Sequence, residues 1–139
     1  MTVIDFYRNR LSGILPLDEF LHVCAVADKL KCDQKTRIVA LLHDMVEDGY
    51  ATFEELQKRF KLDSEQMAAL DAITRRQGER YFDYIKRCKQ NKMAKTVKLA
   101  DLQHNIFRCA NDLPNRWGLI RRYAKAYGIL IDEWKEQSK

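Results

Sequence analysis

The feature of the sequence that most constrains its fold is a shortage of residues that break helices. Five Gly and two Pro occur in 139 residues, and almost every segment between them repeats its apolar residues at the spacing of a helix. This pattern predicts an all-α protein. The sequence shows no repeat, linker or low-complexity segment, so residues 1–139 are expected to form a single domain.

Cap residues and breakers predict where the first helices begin and end. Pro16 suits the first position of a helix that runs to about Leu30. A second helix is predicted from near Asp33 to Gly49, because glycine suits the left-handed position that follows a helix. Its last turn and a half would then carry the sequence HDMVED, at 43–48.

Capping boxes and apolar periodicity predict the later helices. Thr52 with Glu55 and Asp63 with Gln66 have the spacing of a capping box, so a helix is expected to begin at each pair. Further helices are predicted over 81–89, 92–108 and 117–134, with a loop around Pro114.

Cysteine spacing and hydropathy favour a cytoplasmic protein. The four cysteines form no CxxC pair, which argues against a disulfide framework or a cysteine-rich zinc site. The N-terminal stretch lacks the apolar segment of a signal peptide, and no run of about 18 apolar residues occurs. Export and membrane insertion are therefore not expected.

The net charge of +5 comes mainly from the second half of the chain. This excess indicates an anionic ligand, and charge alone does not distinguish a small phosphorylated molecule from nucleic acid. For many of the individual basic residues, a solvated surface is an equally good interpretation.

An acidic cluster at the predicted end of the second helix is unusual, because the C-terminus of a helix favours cations. His43 and Glu47 are four residues apart, as are Asp44 and Asp48, so the imidazole and the carboxylates would project side by side. A divalent metal or a basic neighbour would compensate the negative charge. An exposed acidic helix end that happens to contain a histidine is the alternative.

Two further residues are candidate ligands. His22 lies beside an apolar stripe, where a histidine is more often a satisfied core residue than a ligand. Asp101 interrupts an apolar stretch that looks buried, and a buried carboxylate needs a partner. Imidazoles and carboxylates together suit Mn²⁺, Mg²⁺, Fe²⁺ or Co²⁺ better than structural zinc.

Several ordered motifs carry a family resemblance. ALLHDMVED at 40–48, TFEEL at 52–56 and VKLADLQHN at 97–105 resemble the HD-domain metal-dependent phosphohydrolases. More closely, they resemble the hydrolase domain of the Rel/SpoT alarmone enzymes and their small stand-alone relatives. The resemblance implies an HD-domain helical bundle and a divalent metal, most simply Mn²⁺, held by His22, His43, Asp44 and Asp101.

The resemblance also implies roles outside the metal ligands. Glu47 and Asp48 match the pair that orients or activates the attacking water and handles its protons. Asn105 matches a substrate-contacting position, as do Arg75 and Tyr123. From their charge, Arg75 and Lys98 are expected to stabilise the phosphates. Three other basic residues would steer the polyanion towards the site: Arg76, Arg80 and Lys86.

These features predict an enzyme that hydrolyses a nucleotide 3′-diphosphate. The alarmone hydrolases carry a basic arm and a Gly-x-x-Tyr element before the first ligand histidine, and residues 14–20 of this chain do not match it. Two alternatives follow. One is a nucleotidase or phosphodiesterase that acts on another nucleotide, and the other is a non-catalytic module that senses nucleotides or binds nucleic acid. The oligomeric state cannot be predicted from the sequence.

Overall fold

The computed structural model describes residues 17–30, 33–113 and 115–133. These residues form seven helices and no strands, which confirms the all-α prediction and is compatible with an HD-type helical bundle. In chain order the helices are α1 (Leu17–Asp28), α2 (Gln34–Leu42), α3 (Phe53–Phe60), α4 (Ser64–Ile73), α5 (Tyr81–Lys89), α6 (Lys92–Ala110) and α7 (Trp117–Leu130).

Side-chain caps fix several helix starts as predicted. The Asp63 carboxylate accepts the Gln66 amide N–H (2.8 Å), and the Gln66 side chain accepts the Asp63 N–H (3.1 Å), which completes a capping box. Thr52 Oγ1 accepts the Glu55 N–H at the start of α3. These bonds pair amide groups that the first turn of a helix cannot pair by itself.

The predicted end of the second helix is wrong. α2 ends at Leu42, and residues 43–49 form turns that carry the acidic cluster. The Ala40 carbonyl accepts both the backbone N–H and the Nδ1–H of His43. Gly49 takes a φ of 80°, in the left-handed region expected for it.

The outer bounds of the first and last helices also differ from the predictions. α1 ends at Asp28, and Pro16 lies outside the described residues. α7 ends at Leu130 because Asp132 has a left-handed φ of 61° and the Glu133 N–H bonds back to the Gly128 carbonyl. Trp134 lies outside the described residues.

The longest helix, α6, lies at the centre of the bundle and packs against α1, α2, α4, α5 and α7. The core between these helices is aliphatic, and its fully buried members include Val23, Val26, Leu42, Leu70, Ile85, Val97, Leu102 and Leu130. The buried face of α6 also carries Lys98 and Asp101, so one charged pair lies within an otherwise apolar stripe. None of the described helices is long and apolar enough to cross a membrane.

Candidate metal centre

Three parts of the chain bring the four predicted ligands together. His22 comes from α1, His43 and Asp44 from the turn after α2, and Asp101 from α6. One potential ligand atom from each lies within 4.8 Å of the others. His22 and Asp101 reach the cluster because each lies on the buried face of its helix, between aliphatic neighbours that pack into the core.

Hydrogen bonding fixes the tautomer of His43. Its Nδ1 lies 2.5 Å from the Ala40 carbonyl, which can only accept, so Nδ1 carries the proton. In the neutral ring, Nε2 therefore presents a lone pair. That atom lies 3.2 Å from Asp44 Oδ2 and 3.2 Å from Asp101 Oδ1. Nε2 of His43, Oδ2 of Asp44 and Oδ1 of Asp101 thus lie close together, and each can donate an electron pair to a metal ion.

His22 connects the cluster to a histidine that was not predicted as a site residue. Its Nε2 lies 2.7 Å from Asp101 Oδ1 and 3.8 Å from Asp44 Oδ2. Its Nδ1 lies 2.7 Å from Nδ1 of His104, one turn beyond Asp101 on α6. When the Nε2 of a histidine binds a metal, its Nδ1–H commonly donates to a carboxylate, a carbonyl or water, which orients the ring, and here Nδ1 of His104 occupies the acceptor position.

Asp101 also forms a buried ion pair. Lys98 Nζ lies 2.8 Å from Asp101 Oδ2, and both residues are less than a tenth exposed. Burial alone would raise the pKa of Asp101, but Lys98, His43 and His22 hold it well below its ordinary value. Lys98 is thus bound to a candidate ligand, while its predicted contact with a phosphate stays a prediction.

Two more carboxylates, Asp48 and Glu19, lie near Asp44, and the pKa of each is raised. Burial, Asp44 and Glu47 together raise the pKa of Asp48 to about 6. Burial and the neighbouring Asp44 raise the pKa of Glu19 to about 9. For His43, burial would lower the pKa, but Asp44 and Asp101 raise it well above its ordinary value.

This donor set is suited to a divalent cation. A lone pair on His43 and two carboxylates face one another at hydrogen-bond distance, so the cluster needs a proton or a metal ion between them. Separations of 2.7 to 3.8 Å among the donor atoms are compatible with a shared ion at bond lengths of about 2.1 Å. Mixed nitrogen and oxygen ligands favour first-row divalent ions or Mg²⁺.

A cavity of about 330 Å³ opens beside the cluster. The remaining sequence-predicted site residues all line it: Glu47, Asp48, Arg75, Lys98, Asn105 and Tyr123. Glu47 Oε1 accepts the Arg75 backbone N–H at 2.8 Å, which joins the turn after α2 to the connection between α4 and α5. Asn105 Nδ2 donates to Asp101 Oδ1 at 3.3 Å.

The cavity wall also contains residues that sequence reasoning did not select. Glu19, Tyr81, Arg108 and Arg122 line the cavity together with the predicted residues. His104, which contacts His22 but does not line the cavity, was also missed, although it lies within the VKLADLQHN motif at 97–105. The others come from segments without a motif. Conversely, Arg76, Arg80 and Lys86, predicted to steer the substrate, are exposed and do not line the cavity.

Comparison with known proteins finds no matching family model. The chain is 27% identical over 124 residues to the bifunctional (p)ppGpp synthase/hydrolase SpoT of Escherichia coli, an alignment that covers 83% of this chain and 18% of SpoT. A guanosine-3′,5′-bis(diphosphate) 3′-pyrophosphohydrolase of Shigella flexneri matches equally well. A GTP pyrophosphokinase of Myxococcus xanthus is 32% identical over 111 residues, which cover 70% of this chain and 14% of that protein.

The chain thus spans less than a fifth of the length of the curated relatives it matches. All of these relatives carry the names of enzymes that make or hydrolyse nucleotide polyphosphates. At low identity and over that small part of their length, the chain is related in sequence to the Rel/SpoT enzymes.

Proposed function

We propose that this chain is a metal-dependent phosphohydrolase that cleaves the 3′-diphosphate of a nucleotide. The observation that carries the proposal is the convergence of His22, His43, Asp44 and Asp101 at one end of a cavity that arginines also line. The similarity to SpoT and to a guanosine-3′,5′-bis(diphosphate) 3′-pyrophosphohydrolase supports the same reaction class.

The four clustered side chains would hold the cation, most simply Mn²⁺. When bound there, a divalent ion would supply Lewis acidity towards a phosphoryl oxygen and would lower the pKa of a water molecule towards neutrality. His104 orients the His22 ring through the contact between their Nδ1 atoms, and Lys98 keeps the Asp101 carboxylate ionised.

Glu47 and Asp48 would move the protons. One carboxylate oxygen of Glu47 is held by the Arg75 amide, so the other is available to take a proton from the attacking water. A pKa of about 6 lets Asp48 hold or release a proton near neutral pH, which suits a donor to the departing oxygen. Arg75 would stabilise charge on the phosphates.

The proposed reaction is hydrolysis of the bond between the 3′ oxygen and its phosphorus. The water oxygen forms a bond to the phosphorus attached to the 3′ oxygen, and the bond between that phosphorus and the 3′ oxygen breaks. The 3′ oxygen receives a proton, and the two phosphates leave together as pyrophosphate. A nucleotidase built on the same ligands would instead release a single phosphate from a monophosphate.

Product analysis tests this proposal directly. Purified protein with Mn²⁺ is incubated with guanosine 3′,5′-bis(diphosphate) and, separately, with deoxynucleoside monophosphates. We expect pyrophosphate and guanosine 5′-diphosphate from the first substrate, and no phosphate from the second. If the tetraphosphate stays intact while the monophosphates lose phosphate, the nucleotidase alternative replaces this proposal. If the protein binds the tetraphosphate but cleaves neither substrate, it acts as a sensor.

A further inference from the structure

Two arginines from different parts of the chain stack on Tyr81, the first residue of α5. The Arg122 guanidinium carbon lies 3.8 Å from the centre of the ring, and that of Arg75 lies 5.6 Å from it. Arg122 belongs to α7, and Arg75 follows α4. All three side chains line the cavity that contains the candidate metal centre.

Neither guanidinium is neutralised by a carboxylate in the part of the chain that the structure describes. Arg75 Nε donates to the backbone carbonyl of Glu79, and no ion pair is formed by Arg75 or Arg122 among those residues. Arg87 provides a contrast, because it also stacks on a tyrosine but is bound to the Glu79 carboxylate at 2.9 Å. Within the described ranges, no carboxylate competes with a ligand for the charges of Arg75 and Arg122.

The Tyr81 hydroxyl is buried without a hydrogen-bond partner among the described residues. Its neighbour Tyr84 donates to the Ile73 carbonyl, as a buried hydroxyl ordinarily does. Burial raises the pKa of Tyr81 to about 12, so the hydroxyl keeps its proton near neutral pH. A buried donor without an acceptor costs stability, and Tyr81 is one of the residues that line the cavity.

We propose that Arg75, Tyr81 and Arg122 form an anion-binding clamp for a second phosphate group, next to the phosphate that lies at the metal centre. The proposal rests on the proposed function for the assignment of that group as the outer phosphate of the 3′-diphosphate. The cavity is lined by the acidic side chains of the metal centre and, around Tyr81, by two guanidiniums that pair with no carboxylate of the described residues. A ligand with two contiguous phosphates matches this arrangement, whereas a single phosphate occupies one end.

The clamp also explains how the site would favour diphosphates over monophosphates. Charge-assisted hydrogen bonds to a phosphate are about twice as strong as neutral ones. A monophosphate at the metal centre leaves the half-buried Arg122 and the buried Tyr81 hydroxyl without a phosphate partner, and a buried donor left unpaired discriminates against the smaller ligand.

Binding of inorganic pyrophosphate tests the clamp independently of catalysis. Affinity is measured by calorimetry, with and without Mn²⁺, for the wild-type chain and for Arg122→Ala. We expect Arg122→Ala to weaken pyrophosphate binding by about 10- to 100-fold, the usual loss for a charge-assisted hydrogen bond, and to change inorganic phosphate binding less. Arg121→Ala is the matched control, because Arg121 stacks on Trp117 on the same helix and does not line the cavity.

A second variant separates the clamp from a packing role. Tyr81→Phe keeps the ring on which both arginines stack and removes only the hydroxyl, so we expect a several-fold loss of pyrophosphate affinity with the melting temperature unchanged or raised. Equal pyrophosphate affinity in the wild type, Arg122→Ala and Tyr81→Phe would overturn the clamp, whatever the chain hydrolyses. Arg122-dependent pyrophosphate binding without hydrolysis of a 3′-diphosphate would support the clamp and refute the proposed function.

Discussion

His43 is bonded to the backbone at the end of α2 and also belongs to the candidate metal centre. Its Nδ1–H and backbone N–H both bond to the Ala40 carbonyl, and this ends α2 one residue before the acidic cluster begins. The same bond directs Nε2 towards Asp44 and Asp101. One side chain therefore sets both the end of a helix and the direction of a lone pair.

Metal binding is expected to depend on Asp44. Asp44→Ala removes an anionic donor from the set of four, so we expect the variant to lose stoichiometric Mn²⁺ and activity together. Elemental analysis after dialysis measures the metal content. Asp83→Ala, which removes an exposed carboxylate of α5, is the control and should keep full occupancy. Full occupancy in Asp44→Ala would contradict the ligand assignment.

Asp101 is expected to contribute to the stability of the fold as well as to metal binding. Asp101→Ala leaves the Lys98 ammonium buried without its carboxylate, which we expect to lower the free energy of unfolding by about 3 to 5 kcal/mol. Urea unfolding of the metal-free protein measures this loss. The double variant Lys98→Met with Asp101→Leu should recover much of it, because no buried charge remains unpaired. A single variant as stable as the wild type would show that the ion pair is not needed.

A substitution at Glu47 distinguishes an enzyme from a sensor. Glu47→Gln retains an oxygen that can accept the Arg75 N–H but loses the basic carboxylate. We expect metal content to persist while turnover of the 3′-diphosphate falls by about 10²- to 10⁴-fold, the usual worth of a positioned acid or base. Steady-state kinetics together with elemental analysis measures both quantities. Unchanged turnover would remove Glu47 from the proposed mechanism.

At the scale of elements, the connection between α4 and α5 determines where Arg75 lies. Glu79 holds this connection together, because its carboxylate accepts from the Arg87 side chain and from the Arg76 backbone N–H. Arg87 also donates to the carbonyls of Asp71 and Thr74. These bonds fix a loop of seven residues between two helices, and one residue of that loop lies in the cavity.

Glu79 makes this connection sensitive to acid. Hydrogen bonds from Arg87 lower the pKa of Glu79 from 4.5 to about 2. A depressed pKa in the folded state stabilises the protein above pH 4.5, and this contribution is lost as the pH falls towards 2. We expect Glu79→Gln to reduce the free energy of unfolding by about 1 kcal/mol near neutral pH, since the pair is partly exposed.

Urea unfolding of the wild type and Glu79→Gln at several pH values measures this difference. The gap between the two proteins should narrow below pH 4.5. Glu54→Gln, at an exposed position of α3, should show no such gap at neutral pH. A gap that persists unchanged down to pH 2 would show that the ionised Glu79 carboxylate does not cause it.

At the scale of the whole molecule, α6 connects the core to the site. α6 packs against five other helices, and its buried residues include Asp101. The cluster joins α1, the end of α2 and α6, which are distant in sequence. A metal ion bound to all three would therefore stabilise the native chain and not the unfolded one.

Melting temperature is expected to rise with Mn²⁺. At a free concentration 100 times the dissociation constant, binding to the native state alone contributes about 2.7 kcal/mol, which corresponds to roughly 10 °C for a chain of this size. Differential scanning calorimetry with Mn²⁺ or with a chelator measures the shift. Asp44→Ala should show no Mn²⁺-dependent shift, and an equal shift in that variant would indicate that the stabilising ion binds elsewhere.

The sequence by itself determined where several helices begin and, through its resemblance to a known family, predicted the candidate ligand set. Apolar spacing and cap residues act over a few positions, so the starts at Thr52 and Asp63 were predictable from local chemistry. The identity of the four clustered residues followed from ordered motifs, and the structure brings them together. Their metal-binding role stays a prediction.

Only the tertiary structure decided what surrounds that cluster. The contact between His22 and His104 joins residues 82 positions apart, and that between His43 and Asp101 joins residues 58 apart. Tyr81 and Arg122 meet because α5 and α7 pack together. No local pattern encodes such pairs, because their energy depends on which helix faces pack against each other. The end of α2 at Leu42 was mispredicted for a related reason, since a side-chain bond of His43 overrode the helical periodicity.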